Sequence, residues 1–138
     1  MSRSVMRVNG VDLCVDTTGD RRDPPILLIG GAGAAMDWWE DEFCERLAAG
    51  GRLVIRYDSR DTGQSVAYPA GAPPYTETDL AADAVAVLDA LGLRSAHLAG
   101  ISMGGALAKR VAVDRRDRVD SLVLRLSSRV RVRRCRSS

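Results

Sequence analysis

Short apolar runs, each leading toward a glycine-bearing turn or a helix-prone segment, most constrain what this 138-residue chain can fold into. Pro24-Pro25-Ile26-Leu27-Leu28-Ile29 is apolar without interruption and enters the glycine-rich Gly30-Gly31-Ala32-Gly33. Leu53-Val54-Ile55 ends in Tyr57-Asp58, and Ser95-Ala96-His97-Leu98-Ala99-Gly100 and residues 119–124 repeat the pattern. A strand apolar on both sides must be covered on both faces, the condition inside a parallel sheet. Between these runs the spacing turns helical. Residues 37–49 carry Trp38, Phe43 and Leu47, acids early and Gly50-Gly51 as a stop. Residues 77–91 place Leu80, Ala84, Val87, Leu88 and Leu91 on one face, with Thr76 or Thr78 available as the cap and Gly92 after the end. Residues 103–113 form a third helical segment. Strands alternating with helices predict an α/β fold: a mostly parallel, twisted sheet with helices on both faces. Ahead of it, Asn9-Gly10 between two β-prone runs predicts an amino-terminal β-hairpin with a type I′ turn. Residues 59–75, rich in Gly, Pro, Ser and Thr, read as a loop.

Composition narrows the function classes. With 46% apolar and 28% charged residues the chain reads as soluble and globular, with a cytoplasmic location expected. No apolar stretch approaches the roughly 18 residues of a membrane helix, and no signal peptide opens the chain, so no membrane partner is expected. Three cysteines, Cys14, Cys44 and Cys135, show no metal-ligand spacing and read as idle thiols. One histidine in the chain argues against a metal site, and neither metal nor cofactor is expected.

Charge divides the chain in two. Residues 125–138 hold six arginines and no acid, so the overall +2 leaves residues 1–124 at −4. The apolar pattern stops at Leu124, and the Arg/Ser-rich tail is expected to be disordered or the product of a shifted reading frame. Nineteen arginines against the single Lys109 point to a GC-rich coding sequence, in which such a frame is Arg-rich. The competing reading is a basic arm on a non-catalytic scaffold, binding an acidic partner or nucleic acid; nucleic acid is not the expected partner.

Gly100-Ile101-Ser102-Met103-Gly104 carries the chemistry. Gly-x-Ser-x-Gly is the pattern of a nucleophile elbow, a strand-to-helix turn so tight that the serine takes a strained backbone conformation. Bulk two residues to either side would collide there, so Gly100 and Gly104 are expected to shape the turn. Ser102 is the candidate catalytic nucleophile, lifted above the sheet at the positive end of the next helix. An oxyanion hole needs two N–H donors. The backbone of Met103 offers one, and that of Ala32, in the glycine-rich loop, is the candidate for the other. A dinucleotide-binding loop is the rival reading of the glycines, but Met36 stands where its third glycine belongs. His97 precedes Ser102 by five residues on one strand, placing it ~16 Å away at ~3.3 Å per residue, out of reach of a general base. The last acid is Asp120, before the final strand. Asp58, Arg60 and Asp61 read as loop-fixing residues, and Trp38 and Trp39 as packing near the oxyanion loop.

Together these segments resemble the α/β-hydrolase superfamily. The resemblance rests on Leu27-Leu28-Ile29-Gly30-Gly31, Asp37-Trp38-Trp39, Arg56-Tyr57-Asp58-Ser59-Arg60-Asp61-Thr62-Gly63-Gln64-Ser65, Leu80-Ala81-Ala82-Asp83 and Gly100-Ile101-Ser102-Met103-Gly104-Gly105. Within the superfamily the chain resembles the aclacinomycin methylesterases, which act on the methyl ester of anthracycline polyketides. That resemblance implies a serine esterase acting on a small-molecule ester, with Gly30-Gly31 where related enzymes commonly have a histidine-glycine pair. It also implies that 1–124 is the amino-terminal part of a hydrolase domain, and that the triad acid and histidine follow in chain order. The chain alone is then a fragment expected to be inactive. The helix that covers the face shared with residues 37–49 would be missing, leaving an exposed apolar patch of several hundred Å², at the scale that marks an interaction surface.

Overall fold

The computed structural model describes residues 2–30, 35–68, 74–126 and 129–134. The amino-terminal hairpin joins β1 (Ser2–Val8) to β2 (Val11–Thr18), with Val8 paired to Val11. Asn9 and Gly10 both take positive φ, 47° and 79°, as a two-residue primed turn demands. Then follow β3 (Pro25–Ile29), α1 (Asp41–Ala49), β4 (Leu53–Tyr57), α2 (Glu77–Ala90), β5 (Ala96–Ile101), α3 (Met103–Asp114), β6 (Val119–Leu126) and β7 (Arg129–Arg134).

One sheet runs in the order β1-β2-β4-β3-β5-β6-β7. Its central strands β4, β3, β5 and β6 are parallel, and antiparallel pairs close both edges. The apolar runs fill the parallel centre because only there are both sides of a strand covered. Leu27, Ile29, Leu53, Ile55, Ala96 and Leu98 pack with α2 and α3 in the main core. The alternate residues Leu28 and Val54 pack with Cys44 of α1, joined by Ile26, Leu47 and Ala99. Helices therefore lie on both faces, as the βαβ pattern predicts.

The caps follow local chemistry. Thr76 and Asp79 form a reciprocal capping box at the start of α2, and Gly92, at φ 71°, follows its end. Helix α1 is shorter than residues 37–49. Met36–Trp38 forms one 3₁₀ turn, Trp39 is extended, and the α-helix begins only at Asp41. Side chains from the sheet divert the backbone there. Asp58 accepts the Met36 N–H at 2.7 Å, and Arg56 Nη1 donates to the Trp39 carbonyl at 2.5 Å, taking groups that a continuous helix would use.

Strand structure continues into the tail. Order extends past Leu124: β6 runs to Leu126, and Arg129–Arg134 pairs antiparallel with it, Arg125 opposite Val130. The alternation Arg129-Val130-Arg131-Val132-Arg133 is a period-two strand signal hidden by the charge. Residues 135–138, with Cys135, lie outside the described residues. Cys14 and Cys44 are free and buried, and burial pushes both thiols up from their ordinary value. Among the described residues no helix is long and apolar enough to cross a membrane.

Candidate active site

Strands β3, β4 and β5 end side by side, since Leu28 pairs with Arg56 and Ile29 with Gly100. Gly30, Asp58 and Ser102 therefore leave the sheet along one carboxyl edge, where open α/β sheets build their sites. Ser102 is the single residue between β5 and α3, with φ 54° and ψ −119°. That is a conformation an L-residue holds only when its surroundings enforce it.

Close backbone packing does the enforcing. A Cβ on Gly100 would lie 2.3 Å from the Gly104 carbonyl oxygen, and one on Gly104 would lie 2.2 Å from that of Ile29. No larger residue fits either place without moving backbone. The Ser102 N–H donates to the Arg125 carbonyl at 2.9 Å, while its own carbonyl accepts from Gly105 and Ala106 at 3.0 and 3.2 Å. Ser102 is exposed, and its side chain makes no capping bond to α3. Met103 begins the helix, half-buried against the main core. First-turn amides have no acceptor within their own helix, so this end presents N–H groups and positive potential. Ala32 lies outside the described residues, as do Gly31 and Gly33.

The loop after β4 is fixed by acids. Asp58, 4% exposed, accepts from the Met36 N–H through Oδ1 and from the Gln64 N–H through Oδ2, at 2.7 and 3.0 Å. Arg60 forms a fork on Asp83 at 2.7 and 3.0 Å and lies over the Tyr75 ring. Asp61 accepts from the Tyr68 N–H and the Tyr75 hydroxyl; that bond pushes the Tyr75 phenol up to about 12. The sequence reading gave Asp83 no role of its own, although it is buried in α2 and also takes a hydrogen bond from Asn9 at 2.9 Å. The available signal was an acid flanked by alanines on the buried side of an amphipathic helix.

The one histidine of the sequence and its last acid are engaged away from Ser102. His97 Nδ1 lies 2.6 Å from Ser121 Oγ on the neighbouring strand, and the two residues are register partners. Asp120 accepts from Ser95 Oγ at 2.9 Å near the amino end of β6, the opposite edge of the sheet from Ser102. Trp39 stacks on Phe43 with ring centroids 5.9 Å apart and packs on the α1-side cluster, whereas Trp38 is 49% exposed. These rings and the sheet residues Ala99, Ile101 and Val123 line an open groove of about 800 Å³. It lies on the α1 face and does not include Ser102.

A model of the alpha/beta hydrolase fold matches residues 24–133. The chain belongs to the alpha/beta hydrolase fold family. Rhodomycin D methylesterase DauP of Streptomyces sp. (strain C5) is 46% identical over 116 residues, which cover 84% of this chain and 39% of that protein. The putative carbamate hydrolase RutD of Variovorax paradoxus (strain S110) is 41% identical over 100 residues, or 72% of this chain and 36% of that protein. Among solved structures, epoxide hydrolase A from Mycobacterium thermoresistibile superposes with a TM-score of 0.81 at 28% identity, covering 89% of this chain and 38% of its own. This hydrolase chain thus spans less than two-fifths of the length of each. Its likeness to the methylesterase group rests on sequence, and its likeness to the epoxide hydrolase on fold.

Proposed function

We propose that this chain carries the nucleophile of a serine esterase, with Ser102 attacking the carbonyl of a small-molecule carboxylic ester. The observation that carries the reading is Ser102 itself, exposed at φ 54° and ψ −119° between β5 and α3, with Gly100 and Gly104 in contact with backbone. A strained residue held by this much surrounding structure is typical of a functional position. The names of the relatives, a methylesterase and a putative carbamate hydrolase, favour acyl chemistry.

In the proposed reaction Ser102 Oγ bonds to the acyl carbon while a base takes its proton. The N–H groups of Met103 and Ala32 receive the oxyanion, the alcohol leaves with a proton, and water then releases the acid. Residues 1–124 belong on this reading to one hydrolase domain. On this reading His97 and Asp120 supply neither the base nor the acid. The chain alone is expected to be catalytically idle, although its serine is already posed.

A fluorophosphonate probe tests the reading, with imidazole added as an external base. The serine oxygen displaces fluoride from phosphorus and imidazole takes the proton. Slow stoichiometric labelling at Ser102, faster with imidazole and absent from Ser102→Ala, is the expected result. Without imidazole, p-nitrophenyl acetate should not turn over above the Ser102→Ala background. Labelling that survives in the alanine variant, or none at Ser102 even with imidazole, would remove the assignment.

A further inference from the structure

Four large apolar side chains are exposed among the described residues, and two of them, Trp38 and Phe43, stand on one wall of the groove beside α1. The sheet order explains why the groove is open. Helix α1 packs over β3 and β4, with Leu28 and Val54 against it, while the sheet continues outward through β5, β6 and β7. Alternate residues of a strand face opposite sides. Leu98, Leu122 and Leu124 are buried on the α2/α3 side, but Ala99, Ile101 and Val123, facing the α1 side, are only half-buried. Among the described residues no element covers β5 and β6 there.

The two walls of the groove differ in charge. Asp37 and Glu40 line the α1 side, and Arg125 lines the β6 side. Asp37 is paired with Arg3 at 3.4 Å, whereas Glu40 and Arg125 are exposed and make no side-chain hydrogen bond or ion pair among the described residues. A surface with an acid on one wall and a cation on the other is complementary to itself after a half-turn. Each acid then meets the partner's cation, and each aromatic wall meets the partner's uncovered strands. That self-complementarity is what a two-fold contact requires. An uncharged occupant would leave both charges unanswered, and an occupant of one sign would meet like charge on one wall. The outer edge of β7 is a poorer contact, because Arg129-Val130-Arg131-Val132-Arg133-Arg134 laid beside its own copy brings like charges together.

We propose that the α1 face is a two-fold docking surface for a second copy of this chain, with Trp38 and Phe43 against the partner's β5 and β6 and Glu40 against the partner's Arg125. Apolar burial supplies the affinity and the charges fix the register. The interface stands apart from the chemistry at Ser102, which lies outside the groove.

Sedimentation equilibrium of the 138-residue chain tests the proposal, over about 1 to 200 μM, the range of modest affinities. The chain should pass from monomer to dimer and form no larger species. Arg125→Glu and Glu40→Arg should each weaken the dimer by about tenfold or more, since a two-fold contact counts every change twice. The variant carrying both reversals should return to within about threefold of the native constant. Trp38→Ala should weaken the dimer as much as either single reversal. All three residues are exposed, so these variants keep the fold, which the melting temperature of the dilute chain checks. A chain that stays monomeric over the whole range overturns the proposal, and ANS bound in the groove would then show that it takes another occupant. A dimer indifferent to the reversals uses another surface, such as the β7 edge, and overturns it too, as does a double variant weaker than either single one.

Discussion

On the sheet face covered by α2 and α3, Leu27, Leu53, Ile55 and Leu98 are fully buried and Leu107 is 2% exposed; on the α1 face the buried cluster is Leu28, Cys44 and Val54, beside a half-exposed Phe43. The first face is held by ordinary hydrophobic burial, proportional to the apolar area removed from water. On the second, charge does much of the holding. Arg56 is 1% exposed, and its Nε donates to the fully buried Asp16 at 2.8 Å. The same guanidinium reaches the Trp39 carbonyl and the Asp41 carboxylate. Asp16 Oδ1 makes no hydrogen bond and lies 4.0 Å from Arg3 Nε. One face of this sheet is a packed core, and the other is a polar clamp beside an aromatic groove.

If that contrast is right, the largest single loss lies in the clamp. Arg56→Ala leaves Asp16 buried without its partner, a situation that destabilises by about 3–5 kcal/mol. Urea unfolding should show it, and Asp16→Ala combined with Arg56→Ala should cost little more than either change alone. Additive losses would mean the two charges do not act as a pair. Next comes Leu107→Ala on the packed face, expected to cost about 2–5 kcal/mol, because Leu107 is buried in the main core where α3 packs on β5 and β6. A loss below about 1 kcal/mol there would make the α2/α3 face as loosely built as the other.

The same contrast explains what was legible in the sequence. Apolar period and turn chemistry are local, so the strands, the Asn9-Gly10 turn, helix α2 with its cap and the strand-turn-helix around Ser102 could be read from neighbours in the chain. Long-range polar contacts could not. Nothing near Met36 announces that Asp58, twenty-two positions later, will take its N–H and stop a helix from starting. Asp83 likewise looks like a surface charge, and Arg60, read as loop-fixing, gives no sign that its partner lies twenty-three positions on in α2. In the tail, composition outweighs pattern: the arginines of 129–134 mask an alternation that pairs as an edge strand. Within the candidate site, the geometry at Ser102 and its two glycines was readable because the motif's steric demand is itself local.

The smallest expected effect cuts most finely between the faces. Phe43 is an aromatic residue in a helix, 44% exposed, stacked on Trp39 and lining the open groove. In a finished core, Phe→Ala costs about 3–5 kcal/mol. Here much of the ring already meets water and its removal opens no sealed cavity, so Phe43→Ala should cost less than about 1 kcal/mol, mainly lost stacking. An apolar dye such as ANS should bind the native chain at this groove and bind the variant more weakly. Both measurements need dilution to rule out self-association. A loss near the core value, independent of protein concentration, would show that this face is closed in solution by the chain itself, and the contrast between the two faces would disappear.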